Sequence, residues 1–412
     1  MFFLYNLIVV VAGSVLNLLA KVSPKLRLFV DGRKDVFEQL TQKISPGDKT
    51  FWFHSASLGE YEQGLPVMER IKAEFPDHKI VLTFFSPSGY EVRKNNAIAD
   101  VTVYLPLDTI VNVRKFLDVV NPQMAFFIKY EFWPNYLKAL QDRGVKAYLI
   151  SGIFRKNQMF FKWYGGFYRK ALKTISHFFV QNNLSKELLA TIGIHHVSIS
   201  GDTRFDRVAA ILEKDNSLDF IEEFKQDKIA IVIGSSWPKD EAVLIDYINS
   251  AVTAKFIIAP HNIKKDQIEQ LQQSITRKVA MYSEMNLTDL ATSDVFIIDT
   301  VGLLTKIYSY ADIAYVGGGF GNPGVHNMLE PATFGVPIVI GPNYSHFAEA
   351  TALVTNGGAI SISNKVELKD AFDLLIQNPD ERYEKGNIAS TFVQMNRNAT
   401  NIIVKHLTAG RL

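Results

Sequence analysis

The pattern of apolar and polar positions divides the chain into a short opening segment and two long alternating stretches. Residues 1–20, MFFLYNLIVVVAGSVLNLLA, carry no charged side chain. At about 1.5 Å per helical residue this run is just long enough to cross a hydrocarbon core of about 30 Å. Beyond it, short β-rich apolar runs alternate with longer helical stretches. The first set is Thr50–Ala56, Lys79–Phe85, Val101–Leu107, Met124–Lys129, Ala147–Ser151, Phe178–Gln181 and Val197–Gly201. After a polar stretch from Arg204 to Lys228 the alternation restarts with Ile229–Gly234, Lys255–Pro260, Val295–Asp299, Ile313–Val316, Pro337–Gly341 and Ala359–Ile362. Most runs are continuous rather than alternating, as expected of strands buried on both faces of a parallel sheet. The pattern predicts an α/β fold: an anchor helix over 1–20, then doubly wound Rossmann-like domains over 21–205 and 206–412, facing each other across a cleft. Ligands of such sheets bind beyond the carboxyl ends of the strands, which makes the loops after these runs the places to look.

Charge sharpens the reading of the first segment. Lys21, Lys25, Arg27, Arg33 and Lys34 follow the apolar run, and the positive-inside rule then puts the rest of the chain in the cytoplasm. A cleaved signal peptide would carry basic residues before the run and small residues at the cut, and neither is clear. A buried N-terminal helix is the other alternative, and a spanning helix is not separable by sequence from one lying in the interface. Overall, 44 basic and 42 acidic residues nearly cancel, so bulk charge gives no support to a nucleic-acid partner. Local imbalance is larger. Between Asp142 and Glu187 there is no acid, while Arg155, Lys156, Lys162, Arg169 and Lys170 are interleaved with Phe160, Trp163, Tyr164 and Phe167. Beside an apolar anchor this suits anionic inner-membrane lipids better than single-stranded nucleic acid, and a solvated basic face over an aromatic core is the plain alternative. Cysteine is absent, which removes disulfides, thiolate ligands and a cysteine nucleophile.

Two loops carry candidate chemistry. His54–Glu60, HSASLGE, runs from a strand end into a helix expected to begin around Gly59 to Glu60. Gly59 would let a substrate approach the backbone, and Glu60 would project where a base could deprotonate an acceptor hydroxyl. Equally, Glu60 could simply favour the first helical turn. The second loop, Gly317–Glu330, contains Gly319, Gly321 and Gly324 in a literal G-x-G-x-x-G. Pro323 stiffens that turn, and no acid closes the next strand, so it reads poorly as a dinucleotide site. A turn feeding a helix near His326 and Asn327 reads better: its backbone N–H groups would hold a sugar-nucleotide phosphate, and Glu330 would bind ribose hydroxyls. Glycines serving only a tight turn are the alternative. No D-x-D or H-E-x-x-H pattern occurs, and His195 and His196, expected on a strand, would point to opposite faces. A metal site is not expected.

The ordered set HSASLGE (54–60), SPSG (86–89), YLPLD (104–108), EFWPN (131–135), GDTRFD (201–206), DTVGLL (299–304) and HNMLE (326–330) resembles the 3-deoxy-D-manno-octulosonic acid (Kdo) transferases. The set spans nearly the whole chain. The resemblance implies a GT-B fold, a CMP-Kdo donor held mainly by the C-terminal domain, a lipid A precursor as acceptor, and inverting transfer with no metal and no cofactor. It places the general base on Glu60 and the family's conserved positive charge on Arg204. Nucleotide contacts fall on Pro260 and His261, on Val301, Gly302 and Leu303, and on Asn327, Met328, Leu329 and Glu330. Two departures stand out. Relatives carry an acid where this chain has Lys129, so an assisting carboxylate is missing unless Glu131 takes over. They also carry an arginine after the proline of the second donor strand, where this chain reads Pro260-His261-Asn262, which leaves Arg204, Lys264 or Lys265 to face the phosphate. Since CMP is a good leaving group, one base and one cation suffice, unlike an inverting glycosidase, which also needs a general acid. Another GT-B sugar-nucleotide transferase or epimerase, or a non-catalytic membrane-bound GT-B adaptor, are the competing readings.

Overall fold

Two seven-stranded sheets, every pairing parallel, organise the chain, each in its own compact unit. The structure, a computed structural model, describes residues 1–409. In the first unit the strands are β1 (Thr50–Ser55), β2 (Lys79–Phe84), β3 (Val101–Tyr104), β4 (Pro122–Ile128), β5 (Lys146–Gly152), β6 (His177–Val180) and β7 (Val197–Ile199), in the order 3-2-1-4-5-6-7. The second unit has β8 (Ile229–Ser236), β9 (Ala254–Pro260), β10 (Val279–Met281), β11 (Val295–Ile297), β12 (Ile313–Val316), β13 (Ile338–Ile340) and β14 (Ala359–Ser361), in the order 10-11-9-8-12-13-14. In both units the order reverses beside the first strand, the switch point where loops diverge and leave room for ligands.

The continuous apolar runs behave as their pattern requires. Phe51, Trp52 and Phe53 of β1 are fully buried, with Trp52 in the core on one face and Phe51 and Phe53 in that on the other. Ile231 and Ile233 face one core of the second unit, and Val232 faces the other. The sequence pattern missed β10, a three-residue edge strand set in a polar stretch.

The expected domain boundary needs correction. The units are Met1–Arg207 with Arg397 onward, and Val208–Asn396; the final helix Ala399–Thr408 returns to the first unit instead of closing the second. Asp206 caps its start, accepting from the backbone N–H groups of Asn398 and Thr400, and Ile403 and Leu407 enter the core beside Phe51 and Phe53. Residues 410–412 of the expected second domain lie outside the described residues.

The first helix, Phe2–Leu19, is long and apolar enough to cross a membrane. His195 and His196 lie not on a strand but just before β7, both exposed, so the opposite-face argument does not apply to them.

Candidate functional site

In the first unit the candidate residues gather at the carboxyl ends of β1, β4 and β7. The helix after β1 starts at Leu58, one residue earlier than expected, with Ser57 as its N-cap. A Ser with Glu three residues on has the spacing of a capping box. The side chains depart from it: the Ser57 hydroxyl donates to Glu60 Oε2 and leaves the helix N–H groups alone. Glu60 is 8% exposed, and Lys129 Nζ stands 4.0 Å from its Oε1. Lys129 has φ +72°, left-handed backbone that a lysine seldom adopts. Such strain persists where surroundings impose it, here where Lys129 leaves β4. A Cβ on Gly59 would meet Ser57 Oγ at 3.9 Å, an ordinary contact that leaves the position uncrowded.

The GDTRFD loop binds to the same helix one turn beyond Glu60. Gln63 Nε2 donates to Asp202 Oδ1 at 3.0 Å, and Thr203 Oγ1 donates to the Gln63 carbonyl. Buried Asp202 grips Arg204, accepting from its backbone N–H and Nε at 2.9 Å each, and from Nη2 at 2.8 Å. Nε and Nη2 share Oδ2 while Oδ1 takes the backbone N–H, which fixes the direction of the guanidinium.

Glu131 faces elsewhere. Its Oε2 is 3.8 Å from His54 Nε2, but that nitrogen accepts from Trp133 Nε1 at 3.0 Å. The His54 proton therefore sits on Nδ1, donated to Thr83 Oγ1, which also accepts from Trp52 and donates to the Phe53 carbonyl. His54 is thus a satisfied core histidine and no cationic partner for Glu131.

In the second unit the loops after β8, β9, β11 and β12 come together. Trp237 stacks on His261, with centroids 4.5 Å apart, and His261 stacks on His326 at the same distance. Trp237 Nε1 donates to His326 Nε2. Burial lowers the basicity of both imidazoles, and His261 lowers that of His326 further. Glu330 is held by Thr305 Oγ1 on Oε2 and Asn327 Nδ2 on Oε1, each at 2.9 Å, which ties the DTVGLL loop to the HNMLE loop. Val301 is 81% exposed, and Gly302 takes φ +96° over open space. Leu303 N-caps the short helix that carries Thr305.

The anion seat expected at His326 and Asn327 is not built as the sequence suggested. The helix there starts at Leu329 and ends at Thr333, too short for a useful dipole, and Gly335 at φ +72° follows its end. The N–H groups of His326 and Leu329 already donate to Gly317 O and Asn327 Oδ1. Met328 and Leu329 have core side chains, so only their backbone could meet a ligand. The glycine loop answers to packing: a Cβ on Gly319 would come 2.7 Å from the backbone of Gly341. The sequence reading missed Asp240, fully buried, which accepts from Gly318 N, Trp237 N and the Tyr315 hydroxyl and so pins that loop to β8. The available signal was a carboxylate three residues past a strand-ending Trp-Pro, the acidic half of a capping box.

Two doubly wound parallel units, each with its functional loops at the carboxyl ends of its strands, define an α/β protein of the GT-B class. The solved structure of a UDP-GlcNAc 2-epimerase from Neisseria meningitidis bound to UDP-GlcNAc aligns with a TM-score of 0.62 at 16% identity, covering 88% of this chain and 100% of that one, a likeness of fold. Residues 32–207 match the profile of the family described as 3-Deoxy-D-manno-octulosonic-acid transferase (kdotransferase). A 3-deoxy-D-manno-octulosonic acid transferase of Chlamydophila psittaci is 27% identical over 340 residues, 80% of this chain and 78% of the relative. One from Haemophilus influenzae is 25% identical over 419 residues, 97% of this chain and 96% of that protein. The first unit matches the Kdo transferase family, the resemblance extends over most of the chain, and together they support a glycosyltransferase role.

Proposed function

We propose that this protein transfers Kdo from CMP-Kdo to a lipid A precursor, inverting the anomeric centre without a metal ion, at the cytoplasmic face of a bacterial inner membrane. The observation that carries the reading is the arrangement around Glu60: a nearly buried carboxylate next to Gly59, with Ser57 and Lys129 at its oxygens, on the helix that also holds the Arg204 loop. Glu60 takes the proton from an acceptor hydroxyl, whose oxygen bonds to the anomeric carbon as CMP departs with the electron pair. Arg204 supplies positive charge to the departing phosphate. The second unit holds the donor through Pro260, His261, Val301 to Leu303 and Asn327 to Glu330, with Glu330 on the ribose. A monophosphate leaving group needs less neutralisation than a diphosphate, which favours catalysis by side chains alone. The first helix and the stretch around Trp163 keep the enzyme beside its lipid substrate.

The test is transfer in vitro. Purified protein, CMP-Kdo and a lipid A precursor in detergent with chelator should release CMP and add whole Kdo masses to the lipid, counted by mass spectrometry. Free CMP without lipid product, or dependence on added divalent cation, would overturn the reading.

A further inference from the structure

The first helix poses a question that its length leaves open, and its contacts answer it. A stripe of residues spaced three and four apart is partly covered, with Phe2, Tyr5 and Asn6 half-buried and Gly13 and Ala20 buried. What covers it is the globular part of the first unit. Tyr5 donates to Asp108 Oδ2 at 2.7 Å, and Asn135 Nδ2 donates to Asn6 Oδ1 at 2.9 Å. Phe2 and Tyr5 pack on Phe167, with centroids 4.9 and 5.4 Å apart. Further along, a Cβ on Gly13 would come 3.0 Å from Leu107, so the glycine lets the helix lie close. Asp108 is buried and also accepts from the backbone N–H groups of Asn135 and Tyr136. Lifting the helix away would take a donor from a buried carboxylate and expose Phe167, a double cost.

The opposite face is apolar and open: Phe3 is 82% exposed, and Leu4, Leu7, Ile8, Val11 and Leu18 are exposed too. Trp163, 90% exposed, and Tyr164 lie just before the helix of Phe167, at the end of the docked helix where Phe2 sits. Exposed Trp and Tyr favour the polar–apolar boundary of a bilayer. Exposed Lys21, Lys25, Lys156 and Lys170 supply the complementary charge for anionic headgroups.

We propose that Phe2–Leu19 lies in the plane of one leaflet of an anionic bilayer and does not cross it, forming with Trp163 and Tyr164 a single membrane-binding face. A helix fastened along its length to a polar globular unit cannot also be wrapped by hydrocarbon, because Asp108, Asn135 and the neighbouring Arg33 would have to follow it in. The membrane-inserted part is the open half of the helix surface, as in interfacial amphipathic helices.

The inference rests on the membrane reading above, and its test separates the two. Because the chain has no cysteine, Phe3→Cys, Val11→Cys and Leu18→Cys each give one reporter in the full-length protein. In sealed spheroplasts a membrane-impermeant thiol reagent should leave Phe3→Cys untouched. With a fluorophore on each cysteine, lipids carrying quenchers at graded depths should place all three positions at one shallow depth. Modification of Phe3→Cys from outside, or Val11 markedly deeper than both ends, would show a spanning helix and overturn the proposal while the membrane reading stood. Failure of the unmodified protein to float with vesicles containing anionic phospholipid would remove both.

Discussion

Lys129 Nζ lies 4.0 Å from Glu60 Oε1, at the position where the resemblance to Kdo transferases calls for an acid. On the proposed reading the cation would orient the carboxylate in place of a second carboxylate. Glu60→Gln should leave donor binding nearly intact while lowering turnover by about 10²–10⁴-fold, the usual worth of a general base. Lys129→Met should lower kcat by only about tenfold, roughly 1.4 kcal/mol, with little change in donor KM. Steady-state kinetics with CMP-Kdo and lipid acceptor checks both, and activity of Glu60→Gln within a few-fold of wild type would remove Glu60 from the role of base.

Glu330 and Thr305 make one contact between two loops of the second unit. Ribose contacts exist in ground and transition states alike, so Glu330→Ala should raise the donor KM more than it lowers kcat. Thr305→Val, which removes the Thr305 hydrogen bond to Glu330, should shift the same parameter less. A fall in acceptor affinity at fixed donor KM would take the HNMLE loop out of the donor site.

Asp240 is a positioning residue for the glycine loop. Asp240→Ala removes the acceptor that the N–H groups of Gly318 and Trp237 now use. Loss of a fully buried acceptor of this kind costs about 3 kcal/mol or more. Thermal unfolding should show the drop, with signals from the second unit lost first.

The fold could be read from the sequence wherever burial is two-sided. Strands such as β1 and β8 have no polar face, so composition alone marks them. β10 could not be read, since three residues at a sheet edge carry no period. The fate of the final helix could not be read either: its apolar stripe is the same whichever sheet it covers, and only the position of Asp206 in space decides. Within the first unit the Arg204 loop binds the helix that carries Glu60, and within the second Glu330 meets Thr305. The partners that hold them, Ser57, Asp202 and Thr305, come from other loops or hydrogen-bond in ways that spacing does not reveal. The same holds for the short helix at 329–333, whose length is set by the turn at Gly335.

The return of the final helix gives stability a pH dependence. His177 on β6 packs against His406 of that helix with ring centroids 4.1 Å apart, and burial, then His406 and His196, pushes its pKa down to about 4. An unfolded histidine titrates near 6.5, so between about 6.5 and about 4 the unfolded chain binds the proton first. This contribution to stability is full above about 6.5 and is lost as pH falls towards 4. His177→Gln should therefore flatten the stability profile across that window relative to wild type. Urea midpoints at pH 7.0, 5.5 and 4.5 check the difference, and parallel profiles would show that His177 does not titrate with unfolding.

Removing residues 1–20 separates tethering from support. A simple tether could be deleted with no effect on the globular part, and the protein would remain active on detergent-dispersed acceptor. The docked helix predicts otherwise. Deletion strips Tyr5 from buried Asp108 and uncovers Phe167 and Leu107, so the first unit should melt lower. Tyr5→Phe isolates the hydrogen bond, whose loss to a buried carboxylate is worth about 1.5–3 kcal/mol, several degrees in Tm for a unit of about 200 residues. The membrane response should divide as well. Basic residues around Trp163 contribute about 1 kcal/mol each near an anionic surface, and this attraction is screened within about 8 Å at physiological salt. Truncated protein should float with anionic vesicles at low salt and leave them at high salt, whereas Tyr5→Phe, which keeps its apolar face, should float at both. Truncated protein that melts like wild type would show that the helix is only a tether, and truncated protein that never floats would make the stretch around Trp163 an ordinary solvated surface.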